Sequence, residues 1–184
     1  MNIPTTFHAC VADDAISKVS RLFNATLDDI FAELFQNARR AGATQISVSQ
    51  IDYPNIGPVI CLIDDGPGLN DPRDLFTLGQ SAWDGDVQSL EDAAGMGFFS
   101  LAGRRVRIIA QKQGTPQSWM IDAQPDSFGG AVPIACNDGP ANHDGTTILI
   151  ATKANESYVA AANHAARYLP FDVMVDGVRV ERKD

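Results

Sequence analysis

Glu33 and Asn37 lie four residues apart in ELFQN, a spacing that puts both side chains on one face of a helix. A carboxylate and a carboxamide so placed could hold a hydrated Mg²⁺ and activate a water. Mg²⁺ takes oxygen ligands and keeps most of its waters, so one Asn oxygen can be its only protein ligand. Taken alone, the pair reads as a solvated helix face. A second cluster, Asp64-Asp65-Gly66-Pro67-Gly68, follows the apolar run VICLI. A strand that ends in two carboxylates presents one of them at the sheet edge, beside a pocket. An ionised carboxylate accepts hydrogen bonds, and an exocyclic amine such as adenine N6 offers two donors. Gly66 and Gly68 would let the backbone approach a planar base closely. The same dipeptides, Asp-Gly and Pro-Gly, are common in plain turns.

The third cluster is Gly95-Met96-Gly97-Phe98-Phe99-Ser100. A Gly-x-Gly that opens a helix exposes first-turn N–H groups, which suit phosphates. A lone Gly-x-Gly is weak evidence. The fourth is Asp144-Gly145-Thr146-Thr147-Ile148 at the start of an apolar strand. A Thr hydroxyl beside a carboxylate could share a bound water or a base edge. The plain alternative is strand entry through β-branched residues.

These residues need elements to carry them. Ala15, Ile16, Val19, Leu22 and Phe23 recur at helical spacing behind Asp13 and Asp14, which predicts a short first helix. LDDIFAELFQNARRAG predicts a second, with Leu27, Ile30, Phe31, Leu34 and Phe35 on one face. Asp28 and Asp29 stand in its first turn, Arg39 and Arg40 in its last, and Gly42 ends it, in keeping with the helix dipole. TQISVSQI and VICLID (residues 59–64) read as a hairpin across DYPNIGP. Residues of about 70–96 are weakly patterned, and a loop of that length is expected to be a lid or disordered. GFFSLAGR (97–104) reads as a short helix, followed by strands near 105–112, 117–123, 131–136 and 145–152. A helix over 155–169 and a hairpin turning at Asp176-Gly177 close the chain. Most strand connections are too short for parallel crossovers. The expected fold class is therefore an α/β (α+β) two-layer sandwich, a mixed and mostly antiparallel sheet with helices on one face. No linker divides residues 1–184, which predicts a single domain.

Composition narrows the functions available. Among 184 residues, 45% are hydrophobic and 20% charged, an ordinary globular balance. Net charge is −9, so the surface repels phosphate backbones at long range and direct nucleic-acid binding is not expected. A local nucleotide site remains compatible with that field. No apolar run is long enough to span a membrane, and the N-terminal residues carry no secretory pattern. Cys10, Cys61 and Cys136 form no metal pattern and read as buried thiols of a reducing, cytoplasmic compartment. Trp119 alternates with Ile121 on a strand and is expected in the core, Trp83 falls in the lid stretch, and His8, His143 and His164 are scattered.

The order of the four clusters carries more than any one of them. ELFQNARRAGAT (33–44), DDGPGL (64–69), GMGFFS (95–100) and GTTI (145–148) resemble the motif set of the GHKL ATP-binding superfamily, which includes DNA gyrase B subunits, heat-shock-90 chaperones, sensor histidine kinases and MutL repair proteins. The resemblance implies a Bergerat fold, with ATP between helices and sheet under a lid. It implies Glu33 as the general base, Asn37 as the Mg²⁺ ligand, and Asp64 as the reader of the adenine amine. Gly66 and Gly68 would shape that wall, Gly95, Met96, Gly97 and Phe98 the phosphate-binding hinge, and Thr146 the water-bridged edge of the base. It further implies ATP and Mg²⁺ as cofactors, ATP-driven homodimerisation, and a Lys or Arg supplied by a following domain or partner. On that ground the chain is expected to be the N-terminal portion of a longer protein. Two departures stand out. Asp92 occupies a position where the family often has glycine, and Arg39 and Arg40 stand where an acidic residue is common. Slow turnover is the expectation that follows. A histidine-kinase-type catalytic domain and a non-hydrolysing ATP-sensing module are the alternative readings.

Overall fold

The computed structural model describes residues 5–11, 25–78, 97–153 and 156–182. The predicted first helix, Trp83, Asp92, Gly95 and Met96 lie outside them. The elements are β1 (Thr6–Phe7), β2 (Cys10–Val11), α1 (Leu27–Arg40), β3 (Gln45–Tyr53), β4 (Gly57–Asp64), β5 (Thr77–Leu78), β6 (Val106–Gln111), β7 (Ser118–Ala123), β8 (Ile134–Asp138), β9 (Thr146–Ala151), α2 (Tyr158–Ala166), β10 (Asp172–Val175) and β11 (Val178–Arg179). Short 3₁₀ turns occupy Pro72–Phe76, Gly97–Leu101 and Pro125–Gly129.

α1 begins where its backbone donors find partners. Thr26 accepts from the Asp29 N–H at 3.3 Å, and the Asp29 carboxylate accepts from the Thr26 N–H at 2.9 Å, a reciprocal capping box. Leu27, Ile30, Phe31, Leu34, Phe35 and Ala38 are buried, as their spacing requires. Beyond Arg40 the chain leaves the helix through Gly42 at φ 85°, a conformation glycine adopts without strain.

Nine strands form one sheet in the order β1-β8-β7-β6-β9-β4-β3-β10-β11, and β2 pairs with β5 separately. Every pairing in the large sheet is antiparallel except β3 with β10. The parallel pair arises because α2 intervenes between β9 and β10 and carries the chain back across the sheet. The architecture is thus mixed α and β, dominated by an antiparallel sheet. Ile46, Val48, Ile60, Leu62, Ile108, Ile148 and Ile150 point from one face into the main core with the α1 side chains. On the other face Val59, Cys61 and Leu149 form a small cluster flanked by Tyr53 and Ile56. Both sheet edges, β1 and β11, are two residues long, which limits edge-to-edge pairing with other chains.

Several boundaries differ from the sequence reading. β8 starts at Ile134 rather than 131, because Gly130 turns the chain at φ 78° and Pro133 has no N–H to give a ladder. α2 runs from Tyr158 to Ala166 rather than 155–169. Its predicted first turn is engaged elsewhere: Glu156 accepts from the Lys153 N–H at 2.9 Å and pairs with both terminal nitrogens of Arg104. Its end precedes Pro170, which disfavours helix in the residue before it. The run from 97 makes a single 3₁₀ stretch to Leu101. β1, β2 and β5 are two residues each, too short for the sequence to show alternation. Residues 72–78 belong to the body, because Phe76 is fully buried against Phe7 and Phe98. The remainder of the expected lid, residues 79–96, lies outside the described residues. Cys61 and Cys136 are buried as expected, but Cys10 is exposed. Burial pushes the Cys61 and Cys136 thiols up, away from reactive thiolate. Among the described residues no helix is long and apolar enough to cross a membrane.

The Thr26→Ala variant loses the capping box and is expected to cost about 1 kcal/mol. A fall of about 2–4 °C in thermal midpoint is the corresponding signal, and an unchanged midpoint would mean the cap is not holding α1.

Candidate functional site

Asp64 is the last residue of β4 and lies between Ile46 of β3 and Thr146 of β9. It sits on the same face as Ile60 and Leu62 and is only 8% exposed. Burial raises its pKa above the usual carboxylate range. The Gly66 N–H at 2.9 Å opposes that rise, the nearby Asp65 charge adds to it, and hydrogen bonds from Thr146 oppose it again. A buried carboxylate with so few donors keeps acceptor capacity for a ligand.

The glycines around it are there because nothing larger fits. A Cβ on Gly66 would sit 2.8 Å from Asp64 Oδ1 and within 3.9 Å of the Ala41 and Ala43 methyls. Gly66 therefore lies between Asp64 and the C-terminal end of α1, the end that carries Asn37. Gly68 has φ 82°, and a Cβ there would overlap the Gln111 carbonyl. Gly145 has φ 69°, and a Cβ there would overlap the Asp64 carbonyl. The second and fourth clusters thus meet through direct backbone contact. Gly145 is a structural glycine whose only signal in the sequence is its position directly before Thr146.

Asp65 does different work from its neighbour. Its carboxylate accepts from the Thr44 and Gln45 N–H groups at 2.7 and 2.9 Å, and from the Thr44 hydroxyl. Desolvation raises its pKa, but those bonds outweigh it and hold Asp65 below the usual range. Of the two carboxylates, Asp65 ties the entry of β3 to the end of β4, and Asp64 is left facing the core side.

Glu33 and Asn37 are both half-buried on α1, one turn apart beside the buried face. Desolvation raises the Glu33 pKa, Arg40 opposes that, and Asp29 adds to it. A carboxylate so shifted is a stronger proton acceptor than one in water. Asn37 contributes its backbone carbonyl to the Ala41 N–H, a bond that does not involve its carboxamide.

Of the third cluster, Gly97 opens the 3₁₀ stretch Gly97–Leu101, which packs against α1. The buried Phe98 ring meets Phe76 edge to face at 5.3 Å and stacks on Phe128 at 6.5 Å between centroids, so only the backbone of Phe98 could meet a ligand. Ser100 is 3% exposed, and its hydroxyl has no hydrogen-bond partner among the described residues. Thr146 is half-buried and adjoins Asp64 in register. Thr147 faces the opposite side of the sheet, where its hydroxyl lies 3.4 Å from His143 Nε2.

Among the described residues, no group of three or more His, Cys, Asp or Glu side chains gathers as a metal cluster. A Mg²⁺ held by one Asn oxygen, phosphate oxygens and waters does not require one. Arg104 lies at the other end of the sheet: its buried guanidinium meets the Ala151 carbonyl at the far end of β9. The open pocket of about 400 Å³ beside Arg104, Lys153 and Thr26 is correspondingly remote from Asp64. No family model matches the chain, and no curated protein matches it either.

The shift at Asp64 has a sign that can be measured. Its folded pKa lies above the unfolded value, so its favourable contribution is complete below the unfolded pKa, about 3.9, and lost as pH rises through the folded value. The Asp64→Asn variant removes this dependence. Its stability relative to wild type is expected to be higher at pH 7–8 than at pH 3–4 in urea unfolding. A pH-independent difference between the two would contradict the burial of an ionised Asp64.

Proposed function

We propose that the chain is an ATP-binding domain of the GHKL class with a Bergerat fold, and that it hydrolyses ATP slowly with Mg²⁺. One observation carries the reading: a buried, acceptor-bearing carboxylate ends a central strand, bonded by Gly66 and Thr146, with Gly66 packed between it and the Ala41–Ala43 exit of α1. The mostly antiparallel sheet with its core and both helices on one face agrees with it.

In this reading Asp64 accepts from the adenine amine, which other nucleobases with a carbonyl at that position cannot offer. Gly66 and Gly68 bring backbone close to the base plane, and Thr146 fixes the carboxylate from the other side. The metal, when bound, neutralises phosphate charge and organises the leaving group. Asn37 would hold it through its carboxamide oxygen. Glu33 accepts a proton from the attacking water, and its raised pKa makes that transfer more favourable. For this the water must sit within roughly 2.6–3.2 Å of the carboxylate. The backbone N–H groups at the start of the 97–101 turn would face the phosphates. A Lys or Arg from a following domain, and closure into an ATP-dependent homodimer, belong to the same proposal.

Calorimetric titration with a non-hydrolysable ATP analogue, with and without Mg²⁺, tests the site. Micromolar binding, about −8 kcal/mol, weakened at least tenfold by Asp64→Asn, is expected. No heat at millimolar analogue would end the proposal. The Glu33→Gln variant should retain that affinity and lose phosphate release by about 10²-fold or more. Equal, measurable phosphate release by Glu33→Gln would remove Glu33 as the base, and no release by either protein would leave an ATP-sensing module in place of an ATPase.

A further inference from the structure

The loop after Asp64 is anchored a second time, on the β6–β7 hairpin, which none of the four clusters includes. The Leu69 N–H donates to the Gln111 carbonyl at 2.8 Å, and the Gln113 N–H donates to the Leu69 carbonyl at 3.3 Å. The Trp119 indole Nε1–H donates to that same Leu69 carbonyl, also at 3.3 Å. Leu69 and Lys112 form a parallel bridge, so the loop pairs briefly just beyond the end of β6, at the turn of the β6–β7 hairpin. The close contact of Gly68 with Gln111 makes the fit backbone to backbone. The same hairpin reaches the fourth cluster, because the Gln111 N–H donates to the Gly145 carbonyl at 2.9 Å.

Trp119 is itself held. Lys112 Nζ stands 4.1 Å above its ring, and that ammonium is paired with Asp138 of β8 at 2.5 Å. A half-buried indole between a cation and the core has little freedom, so its N–H is aimed at Leu69 in advance.

We propose that Trp119 is a positioning residue for the nucleotide site, clamping the Gly66–Leu69 backbone so that Asp64 meets the adenine amine. The proposal rests on the ATP-binding reading of that site. Trp119 touches neither the base nor the phosphates in this scheme. It acts on affinity and base choice through the loop, and the Lys112–Asp138 pair acts through Trp119.

The Trp119→Phe variant keeps an aromatic body under Lys112 and removes only the N–H donor. Two measurements on the full chain test the proposal. Amide hydrogen exchange without nucleotide should be about tenfold faster at Gly68 and Leu69 in Trp119→Phe, with the rest of the sheet unchanged. Affinity for the non-hydrolysable ATP analogue should fall about 5- to 10-fold, the size of one net hydrogen bond. The same substitution made in Asp64→Asn should cause no further loss, because both changes then act on one contact. A general loss of stability would instead weaken both backgrounds by the same factor, and that result overturns the proposal. Unchanged exchange at Gly68 and Leu69 overturns it while leaving the ATP reading intact. If the wild-type chain binds no analogue, the site reading fails and the positioning role fails with it.

Discussion

A carboxylate held out of water at the end of a central strand is the constraint on which this architecture turns. Asp64 is costly there, since burial disfavours its charged form and few donors offset that cost. The surroundings are shaped around it. β3 and β9 flank it in register, Gly66 and Gly145 have no room for side chains, and Thr146 supplies hydrogen bonds. A fold selected for stability alone gains nothing from this placement, as an apolar residue in line with Ile60 and Leu62 would continue the core. Local conflict of this kind is the usual mark of a site.

The adjacent Asp65 shows how one residue step separates a structural carboxylate from a candidate ligand-binding one. Successive side chains of an extended chain point to opposite sides. Asp64 consequently joins the core face, while Asp65 is exposed and satisfied by Thr44 and Gln45. By linking the end of β4 to the entry of β3, Asp65 also fixes the turn that follows α1. The helix bearing Glu33 and Asn37 and the strand bearing Asp64 are thereby held in fixed relation without any contact between those three side chains being needed.

The β6–β7 hairpin completes the frame. It touches the loop after Asp64 at Gln111, Gln113 and Trp119, and it touches the Gly145 turn at Gln111. The far end of the sheet is tied separately, by the buried Arg104 pairing with Glu156 just before α2. Polar anchors thus sit at both ends of a core that is otherwise aliphatic and aromatic, with Phe7, Phe76, Phe98, Phe99 and Phe128 gathered in contact below the sheet. This aromatic group claims residues 72–78 for the body of the protein, although their sequence carries no regular period.

Periodicity and capping chemistry are local, and they were legible in the residues themselves. The buried face of α1, the β3–β4 hairpin, the turn at Asp176-Gly177 and the strands β6, β7 and β9 follow from apolar spacing and turn residues alone. The candidate residues Glu33, Asn37, Asp64, Gly66, Gly68 and Thr146 could likewise be named from type and order. Tertiary structure decided what depends on partners distant in the chain. It separated Asp64 from Asp65, put the Phe98 ring in the core and exposed Cys10. It also gave Gly145 its close contact with Asp64 and brought Trp119 to Leu69 across 50 positions. Such outcomes rest on which surfaces meet when the sheet closes over the helices. No local pattern encodes that meeting, because the free energy that selects it comes from burial shared among residues far apart in sequence.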